Sequence, residues 1–175
     1  AFLDMINEAR ANPLATAEAM GMDPDQIIRD FPDMQDILTE GLPPLTFSCH
    51  LYAAARAHTE DMLAEGYYAH DSADGRTYED RIRDTGYLPL ACGESLGLVA
   101  FSNFADPAER VRNIFETMFR EQLDPASGEA VNILNPGLTQ AGIALGTGTM
   151  NLGGRVFNTY VVTCDFGRGV ETVAM

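Results

Sequence analysis

The spacing of apolar residues changes character along this chain, and that change restricts the fold more than any other feature. Phe2, Met5, Ile6 and Ala9 recur at intervals of three and four, as do Leu51, Ala54, Ala55, His58 and Met62, and then Val111, Ile114, Phe115 and Met118. That is the period of an amphipathic helix. Later the pattern gives way to residues that suit a pleated surface, in 140–145 and 156–165, with the glycine-rich segment 146–154 as the hairpin loop between them. One earlier apolar run, 96–101, reads as a buried strand. Helices thus precede a late antiparallel sheet, so the expected class is α+β, with helices covering the faces of a small sheet.

Punctuation sets the boundaries. Asn12-Pro13 stops the opening helix, because proline disfavours helix at the residue before it. Residues 14–41 are acidic and broken by Gly21, Pro24 and Pro32; they read as a surface elaboration with short helical pieces at 26–30 and 34–38. Pro43-Pro44 forces an extended entry, Ser48 can cap the long helix, and Gly66 ends it. Thr77 and Asp80 have the spacing of a capping box before Ile82, and Gly86 follows as a stop. Residues 102–105 break the 96–101 strand before Asp106-Pro107 opens another helix. The reading is one domain over 1–175, with 1–44 as a helical elaboration and 45–167 as the core.

Charge narrows the function. With 26 acidic against 11 basic residues the net charge is -15, which repels nucleic acid and anionic membranes. No run of about 18 apolar residues is present to span a membrane, and the chain shows no charged-then-apolar leader. The three cysteines, Cys49, Cys92 and Cys164, are too few for a disulfide scaffold and lack C-x-x-C spacing.

Chemistry concentrates in 67–98, where a histidine, carboxylates and glycines lie between helical elements. His70 falls in a loop between two helices, and Glu94 precedes the apolar run; the two are expected to face each other across a cleft. His70 could equally be a loop histidine bonded to local backbone, and a His70–Glu94 pair could be structural or chemical. On the helix after Pro107, Glu121 falls seven residues beyond Ile114 and is expected to turn inward, with Glu116 outward. His58 lies on an apolar stripe and reads as a half-buried core histidine.

Several separated motifs then occur in a telling order. Leu51-x-x-Ala-Ala-x-x-His58-x-x-Asp61-Met62 is followed by Tyr68-x-His70-x-Ser72-x-Asp74-Gly75-Arg76-Thr77, by Arg81-Ile82-x-x-x-Gly86-Tyr87 and by Gly93-Glu94. Asn132-Ile133-Leu134-Asn135-Pro136 and Asp165-Phe166-Gly167 complete the series. This series resembles the CAP superfamily, the SCP-like group of cysteine-rich secretory, antigen 5 and pathogenesis-related 1 proteins, in its bacterial branch. The resemblance covers roughly 45–167 and touches the opening helix. It implies an α-β-α sandwich, secretion to an extracellular or periplasmic location, and a cleft lined by two histidines and two acids.

Carried over by position, His70 is the first histidine, Glu94 the first acid and Glu121 the second. Ser95 stands where the family has asparagine, and Glu129 stands where its second histidine is expected. The topology implied by the resemblance also brings Cys92 and Cys164 close, with a bridge between them left open.

These readings lead to two functional expectations. The first is a secreted binding module, a monomer, whose cleft residues His70, Glu94, Glu121 and Glu129 accept a small apolar molecule, a peptide or a glycan. The second is a hydrolase, metal-assisted or general acid-base, in which His70, Glu94 and Glu121 act catalytically. No nucleophile motif of the Gly-x-Ser-x-Gly or H-E-x-x-H kind is present. No cofactor is required. With His70 as the one imidazole, a divalent metal would be held only weakly.

Overall fold

The computed structural model describes residues 1–102 and 106–170. The helices are α1 (Phe2–Ala11), α2 (Pro13–Ala19), α3 (Pro24–Asp30), α4 (Gln35–Glu40), α5 (Cys49–Glu65), α6 (Tyr78–Asp84) and α7 (Pro107–Gln122). The strands are β1 (Thr46–Phe47), β2 (Pro89–Phe101), β3 (Gln140–Leu152) and β4 (Arg155–Gly169), in the spatial order β1-β3-β4-β2. The short β1 pairs parallel to β3, and the other pairings are antiparallel. The fold is a mixed α+β sandwich, as the periodicity indicates.

Alternation along the strands assigns each helix its side. On β4, Val162, Cys164 and Phe166 join a core with Phe2, Ile6 and Ala9 of α1 and Ile114, Phe115, Met118 and Phe119 of α7. The intervening Val161 packs with Met62 of α5, and Thr163 accepts a 2.7 Å hydrogen bond from the Thr59 hydroxyl of the same helix. So α5 and α6 cover one face, and α1 and α7 the other. From 14–41, Ala17, Ile27 and Leu38 reach into the α1–α7 core.

Helix ends follow the local chemistry. Ser48 accepts from Leu51 N–H at the start of α5, Gly66 closes that helix at φ 71°, and Thr77 with Asp80 forms a full capping box on α6. Asp106 accepts from Ala108 N–H at the start of α7. Arg10 is 2 % exposed, yet its guanidinium donates to the carbonyls of Pro43, Ile133, Asn135 and Leu138. One charge thereby ties α1 to two distant loops, and burial pushes its pKa down to about 10.

Three expectations need correction. The strand read as 96–101 begins at Pro89, so Glu94 sits mid-strand, directly opposite Asp165. Pairing with β4 carries strand geometry through Cys92-Gly93, which lack an apolar signature of their own. The loop read as 146–154 is mostly strand, and only Gly153-Gly154 make the turn. Cys92 and Cys164 are not neighbours either. Cys92 lies opposite Gly167 and packs with Leu51 and Tyr87, whereas Cys164 lies opposite Ser95 in the α1–α7 core. The two thiols point to opposite faces of the sheet, and all three cysteines are free. As for the break at 102–105, Ser102 bends and 103–105 lie outside the described residues.

Candidate functional site

Glu94 is held at the edge strand β2 with its side chain on the α5–α6 face, and every charged atom of it is engaged. His70 Nδ1–H donates to Oε1 at 2.8 Å, and Arg81 Nη2–H donates to Oε2 at 2.5 Å. Arg81, on the inner face of α6, spends Nη1 on Ser72 Oγ at 2.9 Å and on the Arg76 carbonyl at 3.1 Å. The loop carrying His70 is thus fastened to the arginine that holds Glu94.

His58 supports the same loop from beneath. It is fully buried, not half-buried, and its Nε2–H donates to the Ala69 carbonyl at 2.8 Å, one residue before His70. Burial lowers its pKa, as expected of an imidazole that stays neutral. The His70 imidazole remains 44 % exposed, and the hydrogen bond to Glu94 outweighs partial burial to raise its pKa. The glutamate therefore favours a charged imidazolium facing outward.

Asp165, across the strands from Glu94, is fully buried, and among the described residues neither of its carboxyl oxygens meets a donor. Burial first, then the adjacent Glu94 carboxylate, raises its pKa well above the ordinary range. Burial and the neighbouring carboxylate thus both favour the neutral, protonated form of Asp165.

On the opposite face of β2, Asn132 Nδ2 donates to the Glu94 carbonyl at 2.9 Å and to Ser95 Oγ at 3.0 Å. Gln122 Nε2 donates to the same hydroxyl at 3.0 Å, while its Oε1 accepts from Ile133 N–H at 2.8 Å. Ser95 thus links α7, β2 and the 132–134 plug.

Glu121 does not turn into the core as the stripe suggests; it is exposed, Gln122 is buried, and Glu116 is half-buried. At about 100° per residue the stripe centres between Met118 and Gln122, which leaves Glu121 about a quarter turn off its axis. From that margin Glu121 stands near Glu129 and the Tyr68 hydroxyl. Partial burial and Glu129 raise the Glu121 pKa, and burial together with Glu121, Glu129 and Glu94 raises that of Tyr68. His70, Glu94, Glu121, Glu129 and Tyr68 therefore share one electrostatic neighbourhood at the β2 edge.

Residue chemistry alone pointed to His70 and Glu94 but passed over Arg81, Asp165, Gln122 and Tyr68. For Asp165 a signal existed, a lone charge within the run Val161-Val162-Thr163-Cys164-Asp165-Phe166. Gln122 had none. Both Glu94 oxygens are taken by cationic donors, and the Nδ1 bond to Glu94 leaves Nε2 as the open nitrogen of His70. Among the described residues no three imidazole, thiol or carboxylate groups converge to hold an ion. Volume and chemistry also fall apart, since a groove of about 670 Å³ lies on the α1–α7 face, lined by Phe2, Phe47, Val111 and Ile143.

Two solved structures are similar to this chain. One is an extracellular protein containing an SCP domain from Bacillus anthracis, at 20 % identity and TM-score 0.46, with 82 % of this chain and 41 % of that one covered. The other is an outer surface protein from Borrelia burgdorferi, at 16 % identity and TM-score 0.46, with 84 % and 90 % covered. No curated protein matches the chain. The sequence model of the cysteine-rich secretory protein family, CAP, matches residues 3–166. The chain belongs to the CAP family.

Proposed function

We propose that the protein is a secreted binding module whose cleft, at the β2 edge, takes a peptide or glycan. The observation that carries this reading is the saturation of Glu94 by His70 and Arg81. A carboxylate with both oxygens committed to cationic donors is a poor general base and a poor metal ligand, but it is a firm support for a recognition surface. What remains for a ligand is the exposed edge of the His70 imidazole, the exposed part of the Tyr68 side chain, and the exposed carboxylates of Glu121 and Glu129. Such a set suits hydroxyl-rich or basic groups better than an apolar molecule.

A second reading is favoured by one feature, the half-exposed imidazole held at Nδ1 by a carboxylate. This arrangement could pass a proton at Nε2 during hydrolysis. The two are separated by titrating soluble oligosaccharides and lysine-containing peptides into isotopically labelled protein, with chromatography of the ligand afterwards. Binding should shift the amides of Tyr68, His70, Glu121 and Glu129 and return the ligand intact. Cleavage products that vanish in His70→Ala would replace binding by hydrolysis, and shifts confined to other surfaces would overturn both.

A further inference from the structure

β1 covers β3 only at Gln140 and Ala141, and the outer edge of β3 runs on to Leu152. Ser48 N–H donates to the Ala141 carbonyl at 3.0 Å, which shows that Ala141 turns its main-chain groups outward. Strand residues two apart present N–H and C=O to the same side. Ile143, Leu145, Thr147 and Thr149 therefore turn theirs to the same outer edge, and among the described residues no strand pairs with them there. Edges are ordinarily blunted by charge, proline or a bulge. Residues 142–152 contain no charge and no proline, and their register with β4 is unbroken.

A groove flanks this edge on each face. On the α1–α7 side lies the apolar groove of about 670 Å³, bordered by Phe47, Val111, Ile143 and Leu145. On the α5 side lies a more polar one of about 230 Å³, bordered by Tyr52, Arg56, Glu60 and again Leu145. Leu145 is 48 % exposed between them. An added strand sends alternate side chains to opposite faces, so its residues would fall in turn into the apolar and the polar groove.

We propose that the outer edge of β3, from Ile143 to Thr149, is a strand-addition site for an extended peptide segment of a partner protein that alternates apolar with polar or basic side chains. A second copy of this chain fits poorly. α5 crosses directly over β3, where a methyl placed on Gly142 would lie 1.9 Å from Tyr52 N. Two copies joined edge to edge would bring their β3 strands to about 4.8 Å, each under its own helix, whereas packed helices need about 8–10 Å. Two chains of net charge -15 also repel. A bare basic segment meets neither obstacle, and its site is separate from the His70 surface.

The test adds a short synthetic peptide alternating valine with threonine or lysine and follows amide hydrogen exchange. At about ten times its dissociation constant the peptide should slow exchange at Ile143, Leu145, Thr147 and Thr149 about tenfold. A version N-methylated on alternate amides should not. Thr147→Pro, which deletes an outward N–H without touching the β4 ladder, should abolish the effect. Leu145→Lys, which leaves the backbone intact but places a charge beside the apolar groove, should weaken it and guards against misfolding of the proline variant. Equal binding after N-methylation, no slowing at millimolar peptide, or edge amides already protected in a dimer of the free chain would each overturn the proposal.

Discussion

Asp165 is fully buried on β4, among the described residues no donor meets either carboxyl oxygen, and it faces charged or titratable groups on several elements. Glu94 stands opposite on β2, and Glu94, Arg81 on α6, Cys92, Cys164 and Tyr78 all interact with it electrostatically. Its folded pKa is raised, so the native state keeps a proton that the unfolded chain releases above about pH 4. That contribution to stability is complete below the unfolded pKa and is lost as pH rises toward the folded one. Asp165→Asn removes the dependence while keeping the shape. Relative to the parent, the variant should gain up to about 1.4 kcal/mol per pH unit across that window. Urea midpoints at a series of pH values from acid to neutral test this, and parallel curves for the two proteins would show Asp165 to be ionised in the fold.

At the scale of elements, β3 and α5 depend on the absence of side chains between them. A methyl at Gly142 would meet the Tyr52 backbone, which cannot yield without moving the helix. At Gly148 the nearest atom is Leu63 Cδ2 at 3.1 Å, the end of a flexible side chain. Gly142→Ala should therefore cost at least about 2 kcal/mol, and Gly148→Ala should stay within about 1 kcal/mol. Thermal unfolding of the two variants separates them, and equal losses would mean that α5 slides freely on the strand. The same packing explains why the glycine-rich stretch after Leu145 misreads as loop. Glycine weakens a strand in isolation, but here it creates the room that Leu63 and Thr59 fill over Gly146.

For the molecule as a whole, the sheet separates two cores and with them the cysteines. Cys164 is fully buried on the α1–α7 side, Cys92 is half-buried on the other, and Cys49 is exposed. A disulfide needs Cβ atoms about 3.5–4.5 Å apart, which opposite faces of one sheet do not allow. Three thiols should therefore react in denaturant without reductant. In the native protein Cys49 should react readily and Cys164 should be withheld. A count of one in denaturant would overturn the free state of all three thiols.

By itself the sequence determined the class, the order of helices and strands, and the ends of α5 and α6, because caps, glycine stops and apolar period act within one or two turns of chain. It also singled out His70 and Glu94, since a histidine in a glycine-punctuated loop and an acid beside an apolar run are unusual on their own terms. Only the tertiary structure decided that Arg81 saturates Glu94, that Asp165 lies across from it, and that Gln122 rather than Glu121 enters the core. Those outcomes depend on strand register and on where a helix axis settles against the sheet. Both are set by contacts between residues far apart in the chain, which local period and propensity do not encode.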